Sequence, residues 1–167
     1  MKVYLATDHA GFELKEKVKK HLQELGYEVE DCGAYEFDKD DDYPDFIAQA
    51  AEKVSKNLSS KAIIFGSSGQ GEAMVANKFP NVRAAVFYTP VVPSHNVDVT
   101  GRESSDPFEM IRLTREHNNA NVLSLGAKIL KEEDVLKAVK LWLETPFTNK
   151  LRHLRRIEKI KEIEENI

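Results

Sequence analysis

The segment from Ala62 to Lys78 constrains the fold most. An apolar run, Ala62-Ile63-Ile64-Phe65, leads into Gly66-Ser67-Ser68-Gly69-Gln70-Gly71-Glu72 and then into Ala73-Met74-Val75-Ala76-Asn77-Lys78. This order predicts a buried strand, a loop of small residues and a helix start. Small residues let the backbone approach a ligand closely, and the N–H groups at a helix start attract anions. Glu72 adds a carboxylate, so the loop suits chemistry in which a proton moves while an oxyanion forms. A tight βα turn that is merely glycine-rich fits the same residues. Neither GxxxxGK[ST] nor GxGxxG in register occurs here, so a nucleotide-binding loop is not supported.

The same rhythm runs along the chain. Strand-like stretches fall at 3–7, 27–31, 61–65, 82–87 and 122–125. Helical spacing falls between them, at 12–25 with Gly26 as a stop, at 43–57, 72–78 and 108–117, and again at 132–143. Alternating strands and helices predict an α/β fold: a three-layer α/β/α sandwich with a five-stranded parallel Rossmann-like sheet. In such sheets ligands bind beyond the carboxyl ends of the strands. Asp8-His9, Ser67-Ser68 and Glu72 all fall at those ends. At 167 residues the chain is expected to form a single domain, with an inserted loop near 89–107 and a helical extension near 146–167. That loop carries Pro90, Pro93, Gly101 and Pro107. Loops of this length are often lids or binding loops, and otherwise disordered.

Composition narrows the partners. A net charge of −4 with 31% charged residues favours neither nucleic acid nor a membrane. No run approaches a membrane span, and the short apolar start meets Asp8 at once, so a cytoplasmic protein is expected. Cys32 is the only cysteine, which excludes an internal disulfide. It reads as a small buried hydrophobe rather than a nucleophile. The five histidines show no ligand spacing, so no metal is expected. His9 and His117 are candidate proton-transfer groups, although a lone histidine more often packs or caps; His21 and His95 receive no role. Lys150, Arg152, His153, Arg155 and Arg156 form a basic cluster with Arg152 and Arg156 on one helical face. It fits a solvated helix balanced by later glutamates, or a phosphate reader.

Taken together, Asp8-His9-Ala10-Gly11, Asp42-Tyr43-Pro44, Gly66 through Lys78, Arg115-Glu116-His117-Asn118-Asn119 and Arg152-His153-Leu154-Arg155-Arg156 resemble the type B ribose-5-phosphate isomerases. These belong to a wider family of sugar-phosphate isomerases that includes galactose-6-phosphate and allose-6-phosphate enzymes. The resemblance covers nearly the whole chain. It implies an aldose–ketose isomerisation through an enediolate, with a sugar phosphate as the small-molecule partner and no metal or organic cofactor.

Many members of the family carry a catalytic cysteine where Gly66 stands, and another branch carries a glutamate matching Glu72. The resemblance implies a catalytic group of Glu72, His117 and Ser68, with Glu72 as base and His117 assisting ring opening. It implies that Asp8, His9, Ser67, Gly69, Gln70, Gly71, Asn118, Lys128, Arg152 and Arg156 bind substrate, His9 and the two arginines at the phosphate. Lys128 stands where arginine is frequent and lacks its fork geometry. A homodimer with shared active sites is also implied. A six-carbon aldose or ketose 6-phosphate substrate and a non-catalytic sugar-phosphate-binding module are the alternative readings. Whether the helix start keeps Glu72 ionised or burial raises its pKa is left open by the sequence.

Overall fold

The computed structural model describes residues 1–166. In chain order the elements are β1 (Lys2–Ala6), a single 3-10 turn (His9–Gly11), α1 (Phe12–Glu24), β2 (Glu28–Asp31), α2 (Tyr43–Lys56), β3 (Lys61–Gly66), α3 (Gln70–Ala76), β4 (Ala84–Phe87), α4 (Glu109–Asn118), β5 (Val122–Gly126), α5 (Glu132–Glu144) and α6 (Leu151–Glu165). The five strands form one sheet in the order β2-β1-β3-β5-β4, and every neighbouring pair is parallel. The expected three-layer α/β/α fold is therefore present.

The sequence dictates the layers. The central strands are mostly apolar, because both their faces are covered, with Ser124 of β5 a buried polar exception. Val3 and Leu5 of β1, Ile63 and Phe65 of β3, and Leu123 and Leu125 of β5 point to one face. There they meet Val18 and Leu22 of α1, Ile111 of α4, and Val135, Val139 and Trp142 of α5. Tyr4, Ala6, Ala62, Ile64 and Val122 point to the other face, against Ile47, Ala50, Ala51 and Val54 of α2 and Ala76 of α3. β2, an edge strand, keeps the polar sequence Glu28-Val29-Glu30-Asp31 and none of its residues is fully buried.

α6 has His153 as its one fully buried residue and lies outside both cores. No helix among the described residues is long and apolar enough to cross a membrane.

The topology locates a crevice. The chain moves from β1 outward to β2, then returns to β3 on the other side of β1. Connections leaving the carboxyl ends of β1 and β3 therefore diverge, and this is where open α/β sheets bind ligands.

Candidate active site

The loop after β3 enters that crevice. Gly69, at φ 78°, takes the left-handed conformation that ends the loop, and α3 begins at Gln70, two residues before the expected start. Glu72 thus lies in the first helical turn. The turn is held to β5: Ser124 Oγ donates to the Gly69 carbonyl at 2.6 Å, and the Ala127 and Lys128 N–H groups donate to the carbonyls of Gly66 and Ser67 at 2.8 and 3.2 Å. The Gln70 N–H donates to Ser68 Oγ at 3.4 Å. Ser67, Gln70 and Lys128 remain exposed.

The Glu72 carboxylate folds back over the end of β3, where a Cβ on residue 66 would lie 1.7 Å from its Oε1. Glu72 is 5% exposed. Burial raises its pKa, its own backbone N–H opposes that shift, and the negative charge of Asp8 adds to it. Burial therefore outweighs the bond from the residue's own backbone N–H. Asp8 is itself buried at the end of β1, with Oδ1 accepting from the Ala10 N–H at 2.9 Å. Asp8, His9, Ser67, Ser68, Gly69, Gln70, Gly71, Glu72 and Lys128 thus share the carboxyl edge of the sheet.

His117, Asn118, Arg152 and Arg156 do not join them within the chain. α4 returns antiparallel to the strands and delivers its end to the amino edge. There Arg83, just before β4, donates from Nε to the Asn118 carbonyl at 2.9 Å, and the Asn121 N–H donates to the Arg83 carbonyl at 3.2 Å. Thr148 Oγ1 donates to the Glu116 carbonyl at 2.6 Å, bringing the chain before α6 to the same place. The His117 and His153 rings stack with centroids 4.4 Å apart and planes 12° from parallel. Burial lowers the pKa of His117; Arg102 and Arg152 lower it further, while Glu116 and Asp98 oppose them. Arg152 is half-buried, whereas Asn118 and Arg156 are exposed. A strand of five residues spans about 17 Å, so no side chain links the two edges.

Three groups escaped the sequence reading. The Tyr43 hydroxyl lies where a Cβ on Gly71 would come within 2.7 Å of it, so Tyr43 roofs the loop. Ser124 anchors Gly69 from inside a strand. Asp41 bonds to His9 through both the backbone N–H and Nδ1, at 2.9 and 2.7 Å. The motif Asp42-Tyr43-Pro44 was the available signal for Tyr43; Asp41 had none beyond its acidic loop. Ligand atoms of Asp8, His9 and Asp41 lie within 4.8 Å of one another, a spacing that a cation can use. Cys32 is fully buried beside α2, and burial raises its thiol pKa, as befits a core residue.

A family model described as Ribose/Galactose Isomerase matches residues 3–96 and 105–160. The chain belongs to the ribose/galactose isomerase family. Ribose-5-phosphate isomerase B of Mycolicibacterium paratuberculosis is 37% identical over 164 residues, covering 98% of this chain and 92% of that protein. The structure of ribose-5-phosphate isomerase B from Mycoplasma genitalium, with bound ribulose-5-phosphate, aligns with a TM-score of 0.86 at 33% identity, covering 99% of this chain and 97% of that one. The Clostridium thermocellum ribose-5-phosphate isomerase B aligns with a TM-score of 0.84 at 34% identity, covering 99% of both chains. Within this ribose/galactose isomerase chain, residues 97–104 lie between the two matched stretches.

Proposed function

We propose that this protein interconverts ribose 5-phosphate and ribulose 5-phosphate. The reading rests on the buried Glu72 carboxylate beside the Ser67–Gly71 loop, in a chain whose near full-length relatives are named ribose-5-phosphate isomerase B. A base with a raised pKa takes and returns a proton near neutral pH more readily than an ordinary carboxylate. Glu72 removes the proton from C2 of the open-chain aldose. The electron pair forms the C1–C2 double bond, and charge moves onto the carbonyl oxygen. The N–H groups of Gly69 and Gly71, which take no backbone partner among the described residues, stabilise that oxygen. Glu72 returns the proton to C1, while the Ser68 hydroxyl relays the O2 proton to O1. Proton transfer by a carboxylate needs no metal or organic cofactor.

His117, kept neutral by burial, accepts the anomeric hydroxyl proton and passes a proton to the ring oxygen O4 as the C1–O4 bond breaks, and Asn118, Arg152 and Arg156 contact the sugar phosphate. Because these groups lie at the opposite sheet edge from Glu72, we assign them to the site of a second copy of the chain. The active unit is then a homodimer with shared sites.

Purified protein should form ribulose 5-phosphate from ribose 5-phosphate and, in D2O, exchange the C2 proton. A folded protein that catalyses neither reaction would overturn the reading.

A further inference from the structure

The acidic loop before α2 places one of its aspartates against the turn that follows β1. Asp41 Oδ1 accepts from the His9 backbone N–H at 2.9 Å and pairs with His9 Nδ1 at 2.7 Å. The Asp41 side chain is 9% exposed, and its Oδ2 is buried without a partner among the described residues. The His9 side chain is 35% exposed, and its Nε2 makes no hydrogen bond among the described residues. Two bonds to one oxygen fix both the main chain and the ring. A carboxylate only accepts, so Nδ1 carries the hydrogen.

We propose that Asp41 is the positioning residue for phosphate recognition: it orients His9 so that Nε2–H is presented to a phosphoryl oxygen of the substrate.

This deepens the isomerase reading and rests on it for the identity of the phosphate. The charge logic is specific. Asp8 and Asp41 are the charged groups facing the ring, and Phe37 lies edge-on to it with centroids 6.3 Å apart. Two carboxylates beside an anion site repel the anion unless a cation stands between them. The hydrogen bond to Asp41 raises the pKa of His9, Asp8 and Asp41 add charge in the same direction, and burial opposes them. The imidazolium therefore persists above the ordinary histidine range and donates a charge-assisted bond to phosphate. Without Asp41, a neutral ring is free to leave Nε2 as an acceptor, which repels a phosphoryl oxygen. A shared cation among Asp8, His9 and Asp41 is the competing use of this cluster.

The test is inorganic phosphate binding to the full-length protein by calorimetry from pH 6 to 8.5, with the His9 tautomer read by nitrogen-15 NMR. Asp41→Asn should weaken phosphate about tenfold at pH 7.5 and less at pH 6, the scale of one charge-assisted bond. Asp41→Glu, which restores the carboxylate, should recover most of the loss. In a His9→Gln background, Asp41→Asn should have no further effect. Phosphate affinity within twofold of wild type across the range, for an Asp41→Asn protein of unchanged thermal midpoint, overturns the proposal. So does phosphate binding that requires added manganese or zinc. A wild-type protein that binds phosphate through His9 yet isomerises nothing would defeat the isomerase reading and leave this one standing.

Discussion

Gly66 and Glu72 use the same volume: a Cβ on residue 66 would lie 1.7 Å from Glu72 Oε1 and 2.1 Å from Cδ. The carboxylate therefore sits where any side chain on residue 66 would begin. Glycine at the end of β3 and glutamate in α3 form one unit, and a cysteine at position 66 would compete with Glu72 for that space. Gly66→Ala should push the carboxylate aside. The clashing atoms are the far end of a flexible side chain, so the fold should survive with a cost of about 1–3 kcal/mol. Turnover should fall at least tenfold, with a smaller change in KM. Steady-state kinetics on the folded variant check this, and wild-type kcat would show that the carboxylate's position is immaterial.

Glu72→Gln should lose about 10²–10⁴ in kcat, the usual worth of a positioned base. The raised pKa also has a stability consequence. Between the ordinary carboxylate value and the raised one, the folded state holds a proton that the unfolded state has released. Stability is then lost as pH rises through the folded pKa. Removing the charge should make Glu72→Gln melt higher than wild type at pH 7.5, with the gap closing near pH 4. Cys32→Ser, a change inside the core, should leave turnover close to wild type. Thermal melts at the two pH values and one rate assay distinguish these outcomes.

The alternation of apolar strands and amphipathic helices made the layers legible, since each central strand is buried on both faces. The loop after β3 was legible because few backbones tolerate so many small residues for no reason. The separation of Glu72 from His117, Asn118, Arg152 and Arg156 onto opposite sheet edges was harder to read. It depends on α4 running back along the sheet, so that His117 follows a long loop yet ends beside Arg83 and Asn121. Asp41 was illegible for a different reason. It is one of four aspartates in the five residues 38–42, and composition does not tell which one turns inward. Burial of Glu72 depends on Gly66 leaving room above it, which is a three-dimensional fact.

Complementation tests the proposed sharing of the site between two chains. Glu72→Gln damages the carboxyl-edge half, and Arg152→Ala with Arg156→Ala damages the amino-edge half. Each variant alone should be nearly inactive. Unfolded together and refolded, they should regain about a quarter of wild-type activity, since half of the random dimers are hybrids with one intact site. If the mixture stays as inactive as its components, each chain builds its site alone. The arginine variants should also weaken a phosphorylated inhibitor far more than its dephosphorylated analogue.

The stacked histidines give a second pH dependence. Burial lowers the pKa of both His117 and His153; His153 is also lowered by His117 and by Arg152, Lys150 and Arg156. Below about pH 6.5 the unfolded chain takes up protons that the folded pair resists. The pair's contribution is therefore present above that pH and lost as pH falls through the lowered folded values. The melting midpoint should drop between pH 7.5 and 5.5, and His153→Phe, which keeps a ring in the stack, should flatten that drop. An equal drop in both proteins would show that the pair is not its source.

The segment between β4 and α4 offers the last test. It leaves the carboxyl edge, and the Val91 N–H bonds back to the Pro107 carbonyl at 2.8 Å. Arg102 then lies along α4: its Nη2 is 2.8 Å from Glu109 and 2.9 Å from Glu116, and the guanidinium faces Asp98 as well. Glu116 precedes His117, so the segment clips the end of α4 that carries His117 and Asn118. Residues 97–104, which hold Arg102, also fall outside the stretches matched by the family model. We expect this strap to shape the sugar site. Its prolines limit the freedom that an open loop would have to lose. Replacing residues 90–106 with a short polar connection should change KM or the preference among ribose, allose and galactose phosphates while the sheet stays folded. Arg102→Ala should shift the same quantities in the same direction by a smaller factor, because only the clip is lost. Unchanged kinetics on all three sugars in both variants would reduce the strap to a surface elaboration.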